Sequence, residues 1–155
     1  MASDLKVDID GVRLNIRVGL IMKYGNEVAI EISTVGRNSV IPGGRMKINE
    51  NSRDALSREI NEEMNLNLDK QKLSMIKVFE NFFTYEQKDF HEIYFLYEYP
   101  LNKNEYDFIK NNVTNKDNST TFFKFVKSNE LEKYNLLPLD LHEIIKNCTN
   151  KEKEM

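Results

Sequence analysis

Apolar and polar residues alternate from Leu5 to Ile9, and Asp10-Gly11 follows as a hairpin turn. The next run, Val12 to Tyr24, keeps Leu14, Ile16, Val18, Leu20 and Met22 on one face, as a strand does. Gly19 inside that run marks a bulge or a close approach of another backbone. Gly25-Asn26 is a second turn signal, and Val28 to Ile32 a short strand. The first thirty residues are therefore expected to be mostly antiparallel sheet. Polar, turn-prone residues from Ser33 to Ser39 then lead to a Pro42-Gly43-Gly44 corner.

Beyond the corner the apolar period changes. Leu56, Ile60 and Met64 recur every four residues, which predicts a helix capped by Asn51 or Ser52. A connector over 67–73 precedes a long strand over 73–85, with Val78, Phe79, Phe82, Phe83 and Tyr85. After a turn at Glu86 to Asp89, Phe90 to Tyr99 is the richest strand pattern in the chain, and Pro100 ends it. Residues 101–119 are polar, with a helical turn around Tyr106 to Ile109 and a flexible loop expected from Asn111 to Ser119. Thr120 to Lys127 is a further strand, followed by a turn over Ser128 to Tyr134. Leu136-Leu137-Pro138 opens a last helix whose Leu141, Ile144, Ile145 and Cys148 share one face. This order is compatible with one α/β (α+β) domain over 1–148, a sheet sandwiched by helices, with a polar tail over 149–155, though order alone does not give the topology.

Composition narrows the function classes. The chain has 155 residues, 40% hydrophobic and 30% charged, which suits one ordinary globular domain. A net charge of −3 gives no global attraction to nucleic acid or anionic membrane. The single cysteine, Cys148, excludes an internal disulfide and reads as a small core residue. Nothing at the amino end resembles a secretion signal and no apolar run reaches membrane-spanning length, so a cytoplasmic protein is expected.

The chemistry is concentrated in the helix after the corner. With about 100° per residue and Ala55 at zero, Glu59 falls near ~40°, Glu63 near ~80°, Glu62 near ~340° and Arg58 near ~300°. Leu56, Ile60 and Met64 fall on the adjacent side as the buried stripe. Three carboxylates at i, i+3 and i+4 repel one another, so the helix is not built this way for stability. A hard divalent cation makes the arrangement favourable, because it prefers carboxylate oxygens. Gly44, Glu50, Arg58, Glu59, Ile60, Glu62, Glu63 and Leu66 also stand at the spacing G-x5-E-x7-R-E-U-x-E-E-x-G-U, where U is a bulky aliphatic residue. The chain thereby resembles the Nudix hydrolase family. Its one departure is Asn65 in place of the second glycine, and Asn tolerates the left-handed turn that ends a helix.

This resemblance implies an α/β/α sandwich with a mixed central β-sheet. It implies a pyrophosphohydrolase that cleaves a nucleoside diphosphate linked to another moiety, with Mg²⁺ as cofactor and Mn²⁺ able to substitute. Glu59, Glu62 and Glu63 are implied as metal ligands, with the backbone of Gly43 or Gly44 contributing to metal and phosphate contacts. Arg58 and Glu50 are implied as an orienting ion pair, and Ala55 matters by being small. A water-activating base is expected either from the box or from outside it, where Glu92, Glu80, His91 and Asp117 are candidates. Phe82, Phe83, Tyr85 and Tyr94 either stack on a substrate ring or pack the core. His142 is expected to be structural. Two other readings stay open: a nucleotide- or ADP-ribose-sensing domain without turnover, which degenerate box acids would favour, and an RNA 5′-end pyrophosphohydrolase, which the net charge disfavours. The expected partner is a small nucleoside diphosphate derivative, with no membrane and no nucleic acid, and a homodimer is left open.

Overall fold

The computed structural model describes residues 2–150. Its strands are β1 (Lys6–Ile9), β2 (Val12–Tyr24), β3 (Glu27–Ser33), β4 (Ser39–Val40), β5 (Gly43–Arg45), β6 (Ser74–Tyr85), β7 (Lys88–Pro100) and β8 (Thr121–Lys127). Its helices are α1 (Ser52–Met64), α2 (Lys103–Asn111) and α3 (Asp140–Asn150). All eight strands join one mixed sheet. β2 is central: it runs parallel to β7 from Val12↔Asp89 to Lys23↔Pro100 and antiparallel to β1. β6 pairs antiparallel with β7 on its far side.

One feature of the sheet positions the site. β2 and β3 pair only at their hairpin, through Lys23↔Val28 and Tyr24↔Glu27. Past that point the two strands part. β2 takes β5 as partner, from Arg17↔Arg45 to Gly19↔Gly43. β3 instead takes β8 along its length and β4 at its end. The sheet is thus split, with β5 on one side and Glu31 of β3 on the other.

Helices cover both faces. Leu56, Ile60 and Met64 of α1 and Ile109 of α2 pack with Val18, Leu20, Met22, Ala29 and Phe123. Leu141, Ile145 and Cys148 of α3 pack with Ile21, Val28, Ile30, Leu96 and Val126 on the opposite face. Burial of each large aliphatic side chain contributes roughly 1.5–3 kcal/mol. Asn51 caps α1 by accepting from Asp54 N at 2.9 Å. Asn65 closes it in the left-handed conformation, at φ 56° and ψ 36°, so the glycine departure costs the helix no terminus.

Several boundaries differ from those expected. The helical turn near Tyr106 is a full helix, α2, because Asn102 and Glu105 form a reciprocal capping box. The hairpin turn after β6 is only Glu86-Gln87, both with positive φ, so β7 begins at Lys88. The glycine corner is itself strand β5. Thr149 and Asn150 belong to α3 rather than to a tail. Thr149 is buried and its hydroxyl donates to Ile145 O at 3.1 Å. The remaining tail residues, 151–155, lie outside the described residues.

Candidate active site

Arg58 is the organising cation. Its Nε donates to Glu50 Oε2 at 2.7 Å and its Nη2 to Glu50 Oε1 at 2.9 Å, a two-point clamp between α1 and the loop before it. Nη2 also donates to the Arg45 carbonyl, and Nη1 reaches Glu59 Oε1 at 3.0 Å and Glu62 at 3.3 Å. Lys47 N donates to Glu50 Oε1, which fixes the carboxylate from its own loop. Arg58 beside it holds the Glu50 carboxyl below the usual carboxylate range. The Glu50 carboxylate in turn raises the Arg58 pKa.

The three box glutamates are not equivalent. Glu62 is the outer one, with a half-exposed side chain that accepts from Arg58. Glu59 lies against Gly44, where an added Cβ would collide with its carboxylate carbon and oxygens. Its pKa is raised, chiefly by burial and against the opposing pull of Arg58. Gly43 is tighter still, since a Cβ there would run into the Val18 carbonyl oxygen. Together the two glycines bring backbone to the edge of the acid group.

Glu63 is the innermost acid, 5% exposed. Its Oε2 is buried and has no hydrogen-bond partner. Burial first, then the negative charges of Glu31, Glu59 and Asp117, push its carboxyl up to about 9. A buried carboxyl in that position is relieved by a proton or by a cation. An all-oxygen donor set of carboxylates and backbone carbonyls suits a hard divalent ion. Among the described residues, no group of three His, Cys, Asp or Glu side chains is disposed to hold a metal ion as it stands. The donors therefore fit a cation in chemistry, and the orphaned Oε2 marks the place.

Sequence reasoning missed Glu31. On β3 it shares a face with Ala29, which is fully buried in the α1 layer. Asn115 Nδ2 donates a short hydrogen bond to Glu31 Oε2, and Thr121 Oγ1 donates to the same oxygen at 3.0 Å. Asn115 is itself buried, and its Oδ1 accepts from Asp117 N and Asn118 N. Lys116 N donates to Glu63 O at 2.8 Å. The segment expected to be a flexible loop is thus fastened to both α1 and β3, and it carries Asp117 to the acid group.

The other candidates fall elsewhere. Glu92 is buried on the face of the sheet opposite the α1 layer, where Asn15 donates to it at 3.1 Å and Asn81 at 3.4 Å. Arg17 Nε lies 3.8 Å from the same carboxylate. The charge of the same Arg17 also acts on Glu59, against the effect of its burial. Tyr94, one of the rings considered for substrate stacking, is a core residue instead. It is 5% exposed, stacked on Phe79, with its hydroxyl against the space above Gly19. Burial pushes its hydroxyl up to about 12. Phe82 is 65% exposed and tilted on His91, and Phe83 stacks on Phe90 across the hairpin. His91 in turn contacts Glu80 at 3.0 Å, so this pair sits at the hairpin end, with Phe82, rather than with the box acids. Phe82, Phe83, Phe90 and His91 line a groove of about 470 Å³ with Val12, Thr84 and Asp89. His142 is bonded to the Leu136 carbonyl at 2.8 Å.

The profile of the NUDIX domain family matches residues 23–148. Among solved structures, the fold is similar to an Ap4A hydrolase of C. elegans in a binary complex, at 15% identity and a TM-score of 0.60. That match covers 91% of this chain and 99% of the other. It is also similar to a MutT protein from Methanosarcina mazei Go1, at 13% identity and a TM-score of 0.62, covering 96% and 100% of the two chains. A MutT protein from Bacillus halodurans gives 16% identity and a TM-score of 0.58, over 85% and 80%. No curated protein sequence matches. At such identities the likeness concerns the fold: an α/β/α sandwich with a mixed sheet.

Proposed function

The chain belongs to the Nudix family and is a hydrolase of phosphoanhydride bonds, and from that premise we propose a Mg²⁺-dependent pyrophosphohydrolase of nucleoside diphosphates linked to a further group. The observation that carries this reading is the buried, unpartnered Oε2 of Glu63 among further carboxylates. Glu59, Glu62 and Glu63 would hold the divalent ion, with backbone at Gly43 and Gly44. Once bound, such an ion neutralises phosphate charge and acidifies a coordinated water.

The rest of the work falls to the chain. Arg58 and Glu50 fix the helix against the loop, so the box acids meet the substrate already oriented. Gly43 and Gly44 let the diphosphate approach backbone that any side chain would screen. Asp117 follows Lys116, whose N–H donates to the Glu63 carbonyl, and we assign it the proton from the attacking water. Products would be a nucleoside monophosphate and a phosphorylated leaving group.

The reading is tested by incubating nucleoside diphosphate derivatives with the protein and MgCl₂ and counting phosphate released by a coupled phosphatase. Turnover that vanishes with EDTA and falls by ~1,000-fold or more in Glu63→Gln is expected, the scale of a lost electrostatic stabiliser. Tight binding of one compound with turnover of none would instead make the chain a sensor.

A further inference from the structure

We propose that Glu31 of β3 is a further ligand for the divalent cation, held in place by Asn115 and Thr121 in the segment that is also bonded to the Glu63 backbone. The inference rests on the metal-dependent reading above and extends it to a residue outside the box.

Three observations converge. Glu31 occupies the inward face of its strand, in register with Phe123 of β8 and beyond the fully buried Ala29. Its carboxylate is half-buried there. Two neutral donors, Asn115 Nδ2 and Thr121 Oγ1, both bind its Oε2, which orients the group while leaving its charge uncancelled. Among the described residues, neither Glu31 nor Glu63 has a Lys, Arg or His partner, whereas Glu50, Glu59 and Glu62 all have Arg58. The independent sign of a ligand is Glu63 itself, 5% exposed with Oε2 unpartnered. Lys116 N, one residue from Asn115, donates to the Glu63 carbonyl at 2.8 Å, so one segment ties both acids to the site. A divalent cation would gain both as donors, as carboxylate oxygens are its preferred ligands.

The competing role is purely structural: Glu31 would simply anchor the 112–121 segment. Glutamine separates the two, because its carbonyl oxygen still accepts from Asn115 and Thr121 while the charge is gone. The experiment is Mn²⁺ binding to the full chain, by calorimetry and by the electron paramagnetic resonance of free Mn²⁺. The wild type, Glu31→Gln, Glu31→Asp and Asn115→Ala are compared, with melting in EDTA as the folding control. Glu31→Gln is expected to weaken Mn²⁺ at least tenfold while melting in EDTA no lower than the wild type. Asn115→Ala, which frees the carboxylate without removing it, is expected to lose less. Should Glu31→Gln not fold, Glu31→Asp keeps the charge one methylene further back and is expected to weaken Mn²⁺ severalfold. Unchanged Mn²⁺ affinity in folded Glu31→Gln, beside normal binding by the wild type, overturns the assignment and leaves the metal-dependent reading standing. A wild type that binds no Mn²⁺ overturns that reading, and this one with it.

Discussion

Replacing Glu63 with glutamine should make the metal-free protein more stable while removing its activity. In the folded chain the Glu63 carboxyl is pushed up to about 9 from an ordinary value of 4.5. A carboxyl whose folded pKa is raised binds more protons folded than unfolded between those two values. Stability is therefore highest below about pH 4.5 and falls as the pH rises through the window to about 9. At pH 7.5 three of those units have been traversed, and at 1.36 kcal/mol each the ceiling is about 4 kcal/mol. A chain of this size has an unfolding entropy of about 0.3 kcal/mol/K, so the ceiling corresponds to roughly 12 °C in Tm. Glutamine carries no such proton dependence, and its amide can donate to a neighbouring carboxylate. Differential scanning calorimetry in EDTA at pH 5, 7.5 and 9 is the assay. The variant should melt close to the wild type at pH 5, at least 3 °C above it at pH 7.5, and further above it at pH 9. Adding MgCl₂ should raise the wild-type Tm and leave the variant's nearly unmoved. A variant that melts below the wild type at pH 7.5 in EDTA would show that Glu63 is not an uncompensated acid.

Four more outcomes test the site and its frame. Arg58→Ala strands Glu50 and Glu59 without their cation and should cost about 3 kcal/mol in urea unfolding; Arg58→Lys should not restore it, because only the planar fork meets both Glu50 oxygens. Gly44→Ala puts a methyl where the Glu59 carboxylate stands, so kcat should drop at least ~10-fold with the far-UV circular dichroism unchanged. Asn65→Gly should raise stability by about 0.5 kcal/mol without altering kcat, since glycine takes the left-handed cap at less cost. Asp117→Asn should lower kcat by ~100-fold or more, and by more than Glu92→Gln does, because only Asp117 is carried to Glu63; the reverse order would move the base to the Glu92 face.

What could be seen in the sequence, and what could not, follows the range of the interactions involved. The face of α1 was legible because Glu59, Glu62 and Glu63 are neighbours by helical geometry alone, and the cap at Asn65 because a single residue's backbone preference decides it. The strand from Val12 to Tyr24 shows through a period of two, and that from Ser74 to Tyr85 through its β-branched and aromatic residues. Strand β5 has three residues and no period to read; it exists because β2 needs a partner where β3 has turned away. Asn102-x-x-Glu105 did carry a capping signal, and reading it would have lengthened the helical turn near Tyr106 into α2. Tyr94 and Phe82 are indistinguishable as strand aromatics, yet one is core and the other exposed, since only the course of the sheet decides which end a helix covers. Glu31 is the instructive case. In sequence it alternates with Val28, Ile30 and Ile32 like any solvated strand residue. In a sheet covered by helices on both faces, neither face of an inner strand is solvent, so Glu27, Ala29 and Glu31 point at a helix layer. Glu27 escapes the cost at the hairpin end by bonding to Tyr106. Glu31, at the opposite end of the strand, has only two neutral donors and a second carboxylate before it. A half-buried acid on an inner strand, near a glycine corner and an acidic helix end, is therefore a ligand signal once the fold class is known, and an unremarkable charge before that.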